Sequence, residues 1–127
     1  MRYKIVKENK PRLSTFGRYK AVACHQQEIS TEQIISELKT MGYSEGTVVG
    51  VMTDLSKVIS NHLQQGDKVR LQDLGLMKLE IVSDAAAHVE DFRADRHIRG
   101  VRLHFLPEST KGKPKLYQDM EFEREKE

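Results

Sequence analysis

Arg93, Arg96, Arg99 and Arg102 recur at every third position, starting in a stretch that has no other sustained period. Guanidinium groups at that interval can each neutralise a phosphate and release its counterions, the chemistry of salt-sensitive binding to a polyanionic backbone. Glu90, Asp91 and Asp95 share the stretch, so a solvated face that neutralises itself is the competing reading. Lys111, Lys113 and Lys115 stand around Gly112 and Pro114, where they can meet a backbone or simply keep a turn soluble. Lys78 is a further candidate cation, alternating with apolar neighbours on a strand. Lys68 and Arg70 lie on a shorter strand and read as structural.

Other chemistries find little support. His25, His62, His88, His97 and His104 lack ligand spacing with one another. A hairpin could bring His97 to His104, but no third ligand follows. Cys24 and His25 are adjacent, and neighbours on an extended chain point to opposite faces, so they cannot share a proton there. Phosphate-cradling glycine loops, nucleophile elbows and paired catalytic carboxylates are not found. The expectation is a protein that is not an enzyme and uses no metal, cofactor or small-molecule substrate. A single cysteine removes any internal disulfide framework, and no apolar run approaches membrane-spanning length. A reducing cytoplasm without membrane contact is the expected setting.

The elements that must position these cations come from a lean chain. Of 127 residues 38% are hydrophobic and 6% aromatic, a composition that often completes its core by pairing with a second copy. The net charge of +2 is unevenly spread. Residues 1–29 carry seven Lys/Arg against two acids, whereas residues 30–66 carry two against four. The basic N-terminal residues can extend a phosphate footprint, or can be the exposed face of added strands with lysines blocking edge pairing. Alternation, which sets Tyr3 and Ile5 opposite the charges, favours the second.

Basic and apolar residues alternate over residues 2–7, predicting a half-buried strand that Asn9 and Pro11 interrupt. A second extended piece covers residues 17–23. Ser30-Thr-Glu-Gln33 is a capping box, and the helix it opens sets Ile34, Ile35, Leu38 and Met41 on one face before Gly42. Ser44 caps a second helix, with Tyr43 and Val48 placed as a hydrophobic staple. Val51, Met52, Leu55, Val58, Ile59 and Leu63 then recur at helical spacing until Gly66. So wide a stripe implies two packing surfaces, one in the chain's own core and one against a partner subunit. From Asp67 the period becomes two. Val69 and Leu71, a tight Asp73-Leu-Gly75 connection, then Met77, Leu79 and Ile81 predict a hairpin, and Val101, Leu103 and Phe105 a returning strand. Pro114 can open a short helix containing Leu116 and Met120, after which the acidic residues 121–127 are expected to fray apart from Phe122. The plan is α+β: a two-helix body under a three-stranded sheet, with additional N-terminal strands and a short C-terminal helix.

That order, carried by Asn61-His-Leu-Gln-Gln-Gly-Asp-Lys-Val-Arg-Leu-Gln-Asp-Leu-Gly-Leu-Met77 and by Val101-Arg-Leu-His-Phe-Leu-Pro107, resembles the bacterial histone-like HU/IHF family. It is most similar to the longer HU-related branch with an N-terminal extension, for which Gly17-Arg-Tyr-Lys-Ala and Ile29-Ser-Thr-Glu are the matching entry. The resemblance implies a single domain, with residues 1–27 as extension, 28–120 as HU-like core, 83–100 as a β-ribbon arm and 121–127 as an acidic tail. It further implies a nucleoid-associated homodimer that binds double-stranded DNA through phosphates and deformability rather than base edges. On that analogy Arg93, Arg96, Arg99, Arg102, Lys78, Lys111, Lys113 and Lys115 face DNA. The chain departs from the family in places. Asp73 and Leu74 replace the first two residues of a Gly-Phe-Gly turn, and Gly75 stands at its last. Glu80 and Val82 stand where the ribbon carries arginines. No proline occurs in residues 83–100, where the family holds its DNA wedge, leaving Phe92 or Ile98 as substitutes. A protein-interaction module on the same fold, with decayed DNA affinity and able to pair with a DNA-binding paralogue, is the alternative function.

Overall fold

In chain order the elements are β1 (Arg2–Lys7), β2 (Tyr19–Ala23), α1 (Thr31–Thr40), α2 (Glu45–Gln64), β3 (Val69–Leu71), β4 (Gly75–Ser83), α3 (Ala94–His97), β5 (Ile98–Pro107), β6 (Ser109–Thr110), β7 (Lys113–Pro114) and β8 (Glu123–Arg124). The computed structural model describes residues 1–110 and 112–126, the side chain of Lys113 excepted. Two compact units emerge: Met1–Ile34 with Asp119–Glu127, and Ile35–Gln118.

In the first unit the alternating residues of β1 pair antiparallel with β2, from Tyr3 opposite Ala23 to Lys7 opposite Tyr19. The connection is built on Glu8, the one buried charged residue among those described, 6% exposed. Its carboxylate accepts from Lys20 Nζ at 2.7 Å and from the Lys10 N–H at 3.1 Å. Its own backbone closes the loop, donating to the Arg18 carbonyl and accepting from Gly17, which turns at φ 82°. The tail, expected to fray, instead supplies β8, parallel to β1 with Arg2 beside Glu123. An open edge of β1 provides the reason. The Glu123 and Glu125 N–H groups donate to the carbonyls of Met1 and Tyr3 at 3.1 and 2.8 Å, and an opposite-charge pair lies alongside.

Both expected helix caps form: Ser30 Oγ accepts from the Gln33 N–H at 3.2 Å and Ser44 Oγ from the Thr47 N–H at 3.3 Å. Gly42 and Gly66 end the helices at φ 103° and 91°, a conformation glycine adopts without strain. In the second unit Tyr43, Leu38, Val48, Val51 and Met52 line one apolar pocket, so the staple residues do meet in one cluster. Val48 is nevertheless the sole buried hydrophobic side chain described, at 7% exposure.

The sheet runs β3–β4–β5, all antiparallel. The β3–β4 connection works because Asp73 occupies φ 66°, the left-handed region that Asp tolerates better than most residues. Lys115 Nζ holds the Asp73 carboxylate there at 2.6 Å. At Gly75 a side chain is impossible without movement: a Cβ would fall onto the Leu106 carbonyl and 2.8 Å from Phe105 Cζ.

Two further expectations need correction. Residues 84–97 do not extend as a β-ribbon arm. After Ser83 the chain folds into a 3-10 turn at Val89–Asp91 and the single-turn α3, then re-enters the sheet through a register shift at Val82/Ser83. Without an alternating pattern there was no face to hold two extended strands together. Nor is there a C-terminal helix at Leu116 and Met120. Pro114 pairs with Ser109 in the β6–β7 hairpin, the Lys115 N–H donates to the Glu108 carbonyl, and Asp119 turns at φ 59°. Ladder bonding at the start and a left-handed residue at the end leave no room for helical turns.

Candidate nucleic-acid interface

Pairing Leu79 with Leu103, Ile81 with Val101 and Met77 with Phe105 gathers the apolar side chains of the hairpin on one face. The opposite face then collects Lys78, Glu80, Arg102 and His104, since Lys78 stands opposite His104 and Glu80 opposite Arg102. Glu80 is the hub. It accepts from Arg102 Nε at 3.0 Å and lies 3.8 Å from Lys78 Nζ and 3.9 Å from His104 Nδ1. The Arg102 hydrogen bond, helped by the neighbouring positive charges against partial burial, holds the Glu80 carboxyl below the ordinary range.

Three of the other candidate cations are also engaged. Arg93 Nε lies 3.4 Å from Asp95, and Arg99 Nε donates to both Asp84 oxygens at 2.8 Å. Lys115 is held by Asp73, whose hydrogen bond raises the lysine's pKa. Arg96 is exposed and forms no ion pair among the described residues. Lys111 lies outside the described residues, as does the side chain of Lys113. The arginine periodicity therefore does not make one cationic row: Arg93 turns to Asp95 within α3, Arg99 turns back to Asp84, and Arg102 belongs to the sheet face.

Of the residues considered as wedges, Phe92 stacks on the His97 ring at 5.0 Å between centroids, and His97 Nδ1 in turn accepts from the Arg93 N–H at 2.9 Å. Phe92 is thus a packing residue of the turn. The apolar side chain that does project there is Val89, 87% exposed. Sequence reasoning overlooked Val89, Asp84 and the hub role of Glu80. Only Glu80 carried a usable signal, because laying Leu79 against Leu103 puts it opposite Arg102. His97 and His104 lie along one chain direction rather than across the hairpin, and no group of three metal-capable side chains occurs among the described residues.

A capped helix pair followed by an antiparallel β3–β4–β5 sheet, with a polar face on the long hairpin, defines an HU-type α+β domain. The chain belongs to the HU-HIG family, described as an HU domain fused to wHTH, Ig, or glycine-rich motif, whose model matches residues 1–124. Among solved structures, a protein of Bacteroides vulgatus ATCC 8482, provisionally described as a bacterial DNA binding protein, is similar with a TM-score of 0.58 and 14% identity. That likeness concerns the fold. It covers 83% of this chain and 40% of that one, so this chain spans less than half of its relative's length. No curated protein matches the sequence. No helix among the described residues is long and apolar enough to cross a membrane.

Proposed function

We propose that this chain is a nucleoid-associated architectural protein that binds duplex DNA without reading base sequence, acting as a homodimer in the cytoplasm. The observation that carries this reading is the HU-family match along residues 1–124. HU domains are a non-enzymatic class. In this reading the whole chain is one DNA-binding domain, with residues 28–120 as HU-like core and residues 1–27 as extension. A second copy answers the missing core. Val51, Leu55 and Val58 of α2 and Val101 and Leu103 of β5 are all exposed, Val58 at 53%. Covering such a side chain contributes at most about 1.5–3 kcal/mol, so five per protomer reach the roughly 4–15 kcal/mol that association costs. Gly46 and Gly50, with open space where a Cβ would stand, lie along the same stretch of α2 and permit close helix approach.

Arg96 meets phosphate directly, whereas Arg93, Arg99, Arg102, Lys78 and Lys115 must exchange a carboxylate for it; Lys111 and Lys113 complete the proposed set. That exchange is also the specific observation favouring the second reading, a protein-interaction module of the HU fold whose DNA affinity has decayed. A salt titration of binding to plain and nicked duplexes, with sedimentation to give the oligomeric state, tests both. Affinity that falls with salt and is equal for unrelated sequences supports DNA binding. Absence of binding at low salt overturns it in favour of the interaction module.

A further inference from the structure

Among the described candidate cations of the hairpin only Arg96 lacks a carboxylate, and a denser group of such cations lies near the N-terminus. Lys7, Lys10, Arg12 and Arg18 are exposed and form no ion pair among the described residues. They sit at and within the β1–β2 loop, residues 8–18, which is short and tightly braced. Its ends are joined by Glu8–Arg18 and Gly17–Glu8 backbone hydrogen bonds of 2.8 and 3.1 Å. Inside, Leu13 donates to Lys10, Phe16 to Leu13 and Arg18 to Thr15, a succession of turns that fixes the backbone. The one acid of the loop, Glu8, is turned inward and neutralised by Lys20. What faces solvent is therefore cationic. Between the arginines, Leu13 and Phe16 stand uncovered, Phe16 at 55% exposure.

We infer that the β1–β2 loop is a phosphate-binding element of this chain, in which Lys10, Arg12 and Arg18 clamp the backbone of duplex DNA and Leu13 and Phe16 lie against its sugars. The inference rests on the DNA-binding reading and moves its electrostatic weight from the hairpin to the N-terminal extension. Three observations support duplex DNA as occupant. Unpaired cations release DNA counterions without leaving a carboxylate exposed behind them. A braced loop has little conformational freedom left to lose on binding. Apolar side chains rimmed by Arg and Lys have the composition that lies in a minor groove.

The test compares three full-length proteins, wild type, Lys10→Gln/Arg12→Gln/Arg18→Gln, and Arg93→Gln/Arg96→Gln/Arg99→Gln, in salt titrations with one 30-base-pair duplex. Each lost phosphate contact flattens the slope of log affinity against log salt by about 0.9. If all three side chains make contact, the loop variant's loss of affinity between about 50 and 200 mM salt shrinks roughly forty-fold for each engaged protomer, while the hairpin variant changes by one contact or less per protomer. Lysine acetylation read by mass spectrometry supplies a measurement on the unmutated protein, in which duplex DNA is expected to shield Lys10. An unchanged slope in the loop variant, or equal labelling of Lys10 with and without DNA, overturns the inference and leaves the DNA-binding reading intact. Wild type that binds no duplex at low salt overturns both. Loss of binding to anionic vesicles with DNA binding unaltered would reassign the loop to membrane surfaces and also overturn the inference.

Discussion

Replacing Glu80 with glutamine should increase the affinity of this protein for DNA. Glu80 faces Arg102 across the β4–β5 ladder, takes its Nε–H at 3.0 Å, and has Lys78 and His104 within 4 Å. Glutamine keeps the shape and an acceptor for Arg102 but removes the negative charge, adding +1 to each protomer. If Arg102 and Lys78 then each neutralise one phosphate, the slope of log affinity against log salt steepens by about 1.8 for each engaged protomer. Between about 50 and 200 mM salt that is roughly a twelve-fold larger loss of affinity than wild type shows. One new contact gives about 3.5-fold. Fluorescence anisotropy with a labelled duplex at four or five salt concentrations resolves either value. Arg102 is exposed and Glu80 only half-buried, so the pair contributes little to folding and the variant should melt close to wild type. Equal slopes for the folded variant and wild type would refute the idea that Glu80 withholds these cations from phosphate.

Further consequences follow from other contacts. Gly75→Ala should destabilise the sheet by about 1–3 kcal/mol, near the upper end because a backbone carbonyl cannot rotate away. For a folded unit of this size that lowers the melting temperature by roughly 10–20 °C, measured by circular dichroism; a shift below about 3 °C would contradict the packing described. Cys24 Sγ donates to Glu125 Oε2 at 3.1 Å, and that hydrogen bond, with some desolvation, raises the thiol's pKa. Alkylation near neutral pH should therefore be slower than for a free thiol and faster in Glu125→Gln, whereas equal rates would remove the carboxylate from the account. The Glu8 carboxyl is held below its ordinary value of 4.5, chiefly by Lys20 and next by the Lys10 N–H. A depressed folded-state pKa stabilises above the unfolded value and ceases to as pH falls through the folded one. Protection of the Lys10 amide from hydrogen exchange should accordingly hold above pH 4.5 and decline below it. Glu8→Gln should abolish that dependence, and a pH dependence retained in the variant would point to another group.

Most of the fold was legible because it follows from local rules. Ser30 and Ser44 act as caps, Gly42 and Gly66 as stops, and the change from helical to alternating period at Asp67 marks the start of the sheet. What escaped depended on partners far along the chain. Glu123 has no strand signal of its own; it becomes a strand because β1 presents an unpaired edge. Pro114 satisfies the rule for a first helical residue equally well when it closes a hairpin, and only its pairing with Ser109 decides between the two. Residues 84–97 had no period to read, and the resemblance filled that gap with an arm the chain does not extend.

The candidate cations were legible as residue types but not as available charges. Asp84 lies fifteen positions before Arg99 and Glu80 twenty-two before Arg102, separations that only the hairpin register closes. The difference has an energetic meaning. An arginine that leaves a carboxylate to meet phosphate releases a DNA counterion, but the abandoned carboxylate gathers a cation in its place, so the net release is smaller. A cation with no internal partner contributes its full share. By that criterion Arg93, Arg99 and Arg102 would be weaker phosphate ligands than their spacing suggests, and only the unpaired Arg96 would contribute its full share. Under the loop proposal Lys10, Arg12 and Arg18 would be the stronger ones, because the inward-turned Glu8 is taken up chiefly by Lys20 of β2 and forms no ion pair with them. Salt dependence is thus more informative here than affinity: it counts the cations that were free before DNA arrived.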